Sequence, residues 1–109
     1  MLITNTFSLQ MLDLNYNNLI NITPITLKEL QEKKDCLVSA IGDEDVAAVL
    51  SNLIGKTFLT RRVSIKLENS QPIIVANLIK GEIPKGATTL PENTQFKFVM
   101  VVKTDIGMD

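Results

Sequence analysis

Residues Leu37–Ile54, LVSAIGDEDVAAVLSNLI, decide the fold. Leu37 to Ile41 is a short apolar run that ends at Gly42, the pattern of a buried strand entering a sharp turn. From Val46 onward the apolar residues Val46, Val49, Leu50, Leu53 and Ile54 fall on one face of a 3.6-residue period, which predicts a helix. Gly55 stands where a glycine closes a helix. A strand that turns through glycine into a helix N-terminus aims backbone N–H groups at one spot, a common way to build a phosphate site. Here Asp43, Glu44 and Asp45 crowd that same spot with negative charge.

Outward from this stretch, Met1 to Asn5 reads as a first strand, and Ser8 caps a short helical turn through Leu9, Met11 and Leu12. Asn15 to Asn18 is a polar loop, and Leu19 to Thr23 a second strand that Pro24 stops. Thr26 and Glu29 have the spacing of a capping box, with Ile25 and Leu30 as its hydrophobic staple. The helix they start, TLKELQEKK, is apolar on one side only and is expected to lie on a sheet. Lys33 and Lys34 suit the dipole at its end.

Downstream of the central helix, Lys56 to Thr60 is a connection or a short strand. Arg61 to Leu67 then alternates as a strand, with Val63, Ile65 and Leu67 inward and Arg62, Ser64 and Lys66 outward. Ile73 to Ile79 is a continuous apolar run suited to a central strand. Residues 80–93, KGEIPKGATTLPEN, form the longest stretch without periodicity, and the alternation of Phe96, Phe98, Met100 and Val102 gives a final strand before a frayed DIGMD tail. The expected fold class is α/β: residues 1–109 as a single domain, with a mixed β-sheet of about five to six strands flanked by two to three helices.

Composition narrows the function classes. At 109 residues the chain supports one core. A net charge of −1 lacks the basic balance that long nucleic acid requires of its binders. No apolar run approaches the ~20 residues of a membrane span, and the N-terminal segment lacks the basic start of a signal peptide. The single cysteine, Cys36, excludes an internal disulfide and reads as a small buried apolar residue in a cytoplasmic protein. With no histidine, Ser–His and Cys–His chemistry and the usual zinc sites are absent, so no metal and no cofactor are expected.

Three segments taken together, ITNTFSLQML, SAIGDEDVAAVLSNLIG and RRVSIKL, resemble in order and spacing the small viral ring nucleases that act as type III anti-CRISPR proteins. Members of that family read like N-A-F-S-hydrophobic-N-M-L near the start, A-hydrophobic-G-H in the centre, and N-R-V at the head of a strand. The resemblance covers roughly residues 2–79, and GATTLPENTQF resembles a C-terminal variant of the same family. It implies a cytoplasmic homodimer in the infected host cell that binds cyclic tetra-adenylate, a CRISPR second messenger, across its two-fold axis. It also implies metal-independent ring opening, in which a ribose 2′-hydroxyl attacks the adjacent phosphodiester and a histidine assists the leaving oxygen. Carried onto this chain, Asn5, Ser8, Gln10, Gly42 and Arg62 become ligand-contacting positions, with Gln10 where asparagine is usual.

The chain departs from that pattern at two places. Asp43 occupies the histidine position, and the family's second arginine has no counterpart near Leu78 and Ile79, where Lys80 is the nearby cation. Two readings of Asp43 stand side by side. An aspartate there is a good helix N-cap, while a general acid must carry a proton that a carboxyl with a reference pKa near ~3.9 has lost at neutral pH. Arg62 is likewise either a solvated strand arginine or a bidentate phosphate clamp, with Arg61 on the opposite face of a regular strand. Three functions follow. The first is a sponge for the cyclic oligoadenylate with weak or absent cleavage. The second is an active ring nuclease using Asp43 or substrate positioning alone. The third is a protein-interaction module, or a sponge for another nucleotide immune signal.

Overall fold

The computed structural model describes the backbone of residues 1–108 and the side chains of residues 1–104. Five strands form one sheet: β1 (Leu2–Thr4), β2 (Tyr16–Ile25), β3 (Val38–Ser39), β4 (Ile73–Lys80) and β5 (Gln95–Met108). Two α-helices, α1 (Leu27–Glu32) and α2 (Glu44–Ile54), and two 3₁₀ turns, Leu9–Met11 and Lys34–Cys36, complete the regular structure. The strand order is β2-β5-β4-β1-β3. β1 runs parallel to both β3 and β4, while β5 pairs antiparallel with β2 and β4, so the sheet is mixed.

The apolar run of β4 places it inside the sheet, between β1 and β5. Because successive strand residues face opposite sides, Ile74 and Ala76 join one core cluster while Ile73 and Val75 join another. On the first side, Leu30 of α1 and Val46, Val49, Leu50 and Ile54 of α2 pack with Ile3, Phe96 and Phe98. The helix starts behave as their sequences dictate. Thr26 and Glu29 complete the capping box of α1, and the Asp43 side chain caps α2. Gly55, at φ 86°, ends α2 in the left-handed conformation that glycine adopts freely. Residues 80–93 cover this same side. Ile83, Ala87 and Leu90 pack on the helix-side core, Gly86 N–H donates to Asp45 Oδ1 at 2.9 Å, and Asn52 donates to the Thr88 carbonyl.

Irregular chain covers the second side. Met11 and Leu12 beyond β1, with Ile65 and Leu67, pack on Ile73, Val75 and Val101. Here the alternation of Arg61 to Leu67 proves right for the inward residues Ile65 and Leu67 but wrong for the strand. The segment forms no ladder among the described residues and is held by single bonds, Arg61 N–H to the Ile41 carbonyl and Leu67 N–H to the Met11 carbonyl, both 2.8 Å. It lies over a sheet face rather than along an edge, so its side chains fix it and Val63 remains 44% exposed.

Other boundaries also move. The run Leu37 to Ile41 shrinks to the two residues of β3 at a sheet edge, because β1 offers only the rungs Leu2–Val38 and Ile3–Ser39. Leu37, Ala40 and Ile41 stay buried by packing instead. Strand β2 starts at Tyr16, inside the expected loop, and continues through Pro24 to Ile25. As an edge strand it tolerates a residue without an N–H. β5 carries the DIGMD segment on to Met108, paired with Tyr16, while Asp109 lies outside the described residues. Cys36 is exposed in its 3₁₀ turn, and the following Leu37 takes the buried position. Among the described residues no helix is long and apolar enough to cross a membrane.

Candidate functional site

The parallel strands β1 and β3 both lead into one cleft at their carboxyl ends, the place where open α/β sheets commonly take ligands. Its volume is about 540 Å³. Thr4, Asn5 and Thr6 come from the end of β1, Ala40, Gly42 and Asp43 from the turn after β3, and Arg61 to Ile65 from the segment that crosses above. No residue of 80–93 lines it, since that loop is bound to the helix side.

Gly42 is held from both sides of its own backbone. Its N–H donates to Asn5 Oδ1 at 3.2 Å, and its carbonyl accepts from Arg62 Nε at 2.9 Å. Asn5 therefore ties the end of β1 to the elbow, and Arg62 ties the crossing segment to it. The Arg62 bond uses Nε alone, so the terminal guanidinium nitrogens keep their donors for a ligand. The elbow does not depend on glycine's conformational freedom, because Gly42 is not among the residues with positive φ. A Cβ there would meet Arg62 Cγ at 3.6 Å, an ordinary contact.

Asp43 sits at the rim with a defined structural task. Its Oδ1 accepts from the N–H groups of Asp45 at 2.9 Å and Val46 at 3.0 Å. Those donors are the ones a phosphate would use at a helix N-terminus, and the carboxylate has already taken them. The cationic groups of the cleft, Arg61 and Arg62, come from the crossing segment instead.

Ser8 and Gln10 stand farther along. Ser8 Oγ accepts from Gln10 N–H at 3.0 Å and so caps the 3₁₀ turn, and the Gln10 carbonyl accepts from Lys66 Nζ at 2.7 Å. With Lys66 they line a second hollow of about 340 Å³. Both hollows share Thr6, Met11, Val63, Ser64 and Ile65, so they adjoin along this segment and together make a trough. Asn5, Gly42, Asp43 and Arg62 thus meet at one end, and Ser8 and Gln10 lie at the other.

The sequence reading set Arg61 apart from the site, whereas it lines the cleft beside Arg62 and a separate hollow with Leu59 and Thr60. The opposite-face rule assumes a regular ladder, and this segment has none. The outward set of the alternation, Arg62, Ser64 and Lys66, supplies polar lining to the trough, and Val63 and Ile65 of the inward set line it as well. Lys80, by contrast, ends β4 as an exposed side chain and lines neither hollow.

Among the described residues, no cluster of His, Cys, Asp and Glu side chains could hold a metal ion. Comparison with curated protein sequences gives no match. Among solved structures, the chain is similar to B116 of Sulfolobus turreted icosahedral virus, with a TM-score of 0.75 over 93% of this chain and 97% of that one. At 19% identity this likeness speaks for the fold. The family model described as STIV B116-like matches residues 1–98, and by that match the chain belongs to the STIV B116-like family.

Proposed function

We propose that this protein is a homodimeric sponge for a cyclic oligoadenylate, cyclic tetra-adenylate in the first instance, which it withholds from type III CRISPR signalling in the host cytoplasm with little or no ring opening. The observation that carries the proposal is the pairing of Asn5 and Arg62 around the Gly42 peptide inside an open cleft. These are three of the positions that the resemblance to viral ring nucleases assigns to ligand contact. The cleft's polar walls and its two arginines suit a phosphodiester, which a guanidinium can grip with two parallel bonds.

The proposed two-fold symmetry is consistent with the reading. A homodimer presents every cation of the site twice, and a two-fold pocket matches a cyclic ligand of two-fold or four-fold symmetry. A chain of net charge −1 thereby still offers a locally positive site. Weak turnover follows from Asp43. The side chain at the position of the leaving-group acid is committed as an acceptor to Asp45 and Val46. Without a positioned proton donor, catalysis forgoes the roughly 10²–10⁴-fold that general acid chemistry contributes.

The test mixes excess protein with labelled cyclic tetra-adenylate and resolves bound, intact and cleaved species over time. Tight binding with intact ligand is the expected result. Rapid appearance of linear di-adenylate would overturn the sponge in favour of a ring nuclease. Absence of binding by a dimeric protein would move the function to protein interaction or to another nucleotide.

A further inference from the structure

The trough carries cations at both ends, and they are pinned apart. Arg62 is fixed at one end by its bond to the Gly42 carbonyl, and Lys66 at the other by its bond to the Gln10 carbonyl. The carbonyls belong to different elements, the elbow before α2 and the 3₁₀ turn after β1, so the two cationic heads do not converge on one point. Their Cα atoms are four steps of chain apart, at most about 14 Å when fully extended. Ile65 and Leu67, buried at 9% and 6% exposure, anchor the segment, and Arg62, Ser64 and Lys66 line the trough along it.

The charge balance along this line is uneven. Arg61, Arg62 and Lys66 line the trough, and among the described residues the one carboxylate with them is Asp43, whose Oδ1 is turned to the helix N–H groups. A chain that is slightly acidic as a whole therefore concentrates positive charge on one groove wall. Lys66 gives one of its three N–H donors to Gln10 and keeps two for an anion.

From this we infer that Lys66 forms a second phosphate subsite, apart from the Arg62 end of the trough. The inference rests on the anion-binding reading of the cleft proposed above and adds to it the residue and the position of the second contact. Arg62 holds one phosphate at the Gly42 end. Lys66 holds another beside Ser8 and Gln10. Thr6 and Ser64 line the span between them.

The experiment compares wild type with Lys66→Met, which keeps the apolar stem, and with Lys66→Arg and Lys80→Met. Each is titrated with cyclic tetra-adenylate, 5′-phosphorylated linear di-adenylate and AMP at several salt concentrations, with thermal melts run alongside. Lys66→Met is expected to weaken both oligonucleotides by about tenfold, the range of a charge-assisted hydrogen bond, and to lower the salt slope by about one. AMP, which reaches one subsite, is expected to be unaffected. Lys66→Arg restores the affinity, and Lys80→Met matches wild type. A Lys66→Met protein that melts like wild type and binds the oligonucleotides as wild type does overturns the subsite while the sponge stands. Wild-type binding of di-adenylate but not of the ring, with the same loss on Lys66→Met, upholds the subsite and overturns the choice of cyclic ligand. Failure of wild type to bind any of the three overturns both.

Discussion

The two faces of the sheet are built by different means. On one, two capped helices and the 80–93 loop press against a close-packed core in which Leu30, Val49 and Leu50 are fully buried. On the other, two irregular segments lie across the strands, and Phe7, Leu9, Leu14 and Val63 within them stay exposed. The first face holds the molecule together. The second keeps its polar backbone and cationic side chains accessible, and the trough lies there. Regular secondary structure consumes the backbone donors that recognition needs, so a site assembled from irregular chain is a natural consequence of the division.

The largest expected effect tests this division directly. Leu50→Ala on the helix side removes a fully buried side chain from close packing and should cost about 2–5 kcal/mol. Met11→Ala, whose residue lines the trough at 8% exposure, should fall at or below the bottom of that range, about 2 kcal/mol, because its surroundings are already open on one side. Urea unfolding of both variants measures the difference. Equal losses would show that the irregular face carries as much stability as the helical one, and the comparison would fail.

The same division sets what could be read from the sequence. Helix α2 was plain because caps, periodicity and a closing glycine agree over residues 43–55. The capping box at Thr26 and the apolar run at Ile73 were equally plain. On the other face the pattern spoke only about sidedness. Arg61 to Leu67 alternates because Ile65 and Leu67 are buried, and alternation cannot tell whether the backbone between them finds a ladder. Beside the two residues of β3 the segment makes one backbone bond, Arg61 N–H to the Ile41 carbonyl, and no ladder follows. Hence the alternation foretold the burial of Ile65 and Leu67 but not the irregular path of the backbone. Cys36 failed for a related reason. Its burial was argued from residue type alone, and the 3₁₀ turn places it outside.

A second, smaller effect separates the two glycines that flank α2. Gly55 has φ 86°, so Gly55→Ala forces a side chain into the left-handed region and should cost about 1 kcal/mol. The nearest atom to the new Cβ would be Lys34 Nζ at 3.9 Å, so the loss is a backbone effect and not a clash. Thermal unfolding at constant pH reads it. A neutral Gly55→Ala would mean that the helix ends elsewhere in solution.

Asp43 offers a third contrast, because its structural and chemical roles separate by substitution. Asp43→Ala leaves the Asp45 and Val46 N–H groups without their acceptor and should destabilise by about 0.5–2 kcal/mol, whereas Asp43→Ser keeps a cap and most of the stability. Asp43→His loses a similar amount of stability but installs a group able to donate a proton near neutral pH, so it should open cyclic tetra-adenylate faster than wild type. Product analysis under single-turnover conditions checks this. If the histidine variant binds the ring and leaves it intact, the absence of turnover does not originate at this residue.

The smallest effect is the most pointed and concerns Gly42, where the chain turns from β3 toward α2. With no positive φ at Gly42 and an ordinary 3.6 Å contact awaiting a Cβ, Gly42→Ala should change stability by no more than about 0.5 kcal/mol. The residue matters through its peptide, which both Asn5 and Arg62 grip, and alanine supplies the same N–H and carbonyl. Asn5→Ala, which leaves the Gly42 N–H without its acceptor, should therefore cost more than Gly42→Ala, about 1 kcal/mol, although it lies one strand away. Reversal of that order in paired denaturation curves would mean that the elbow depends on glycine itself. Confirmation would place the specification of the site in its backbone bonds, which join β1, the elbow and the crossing segment at a single residue.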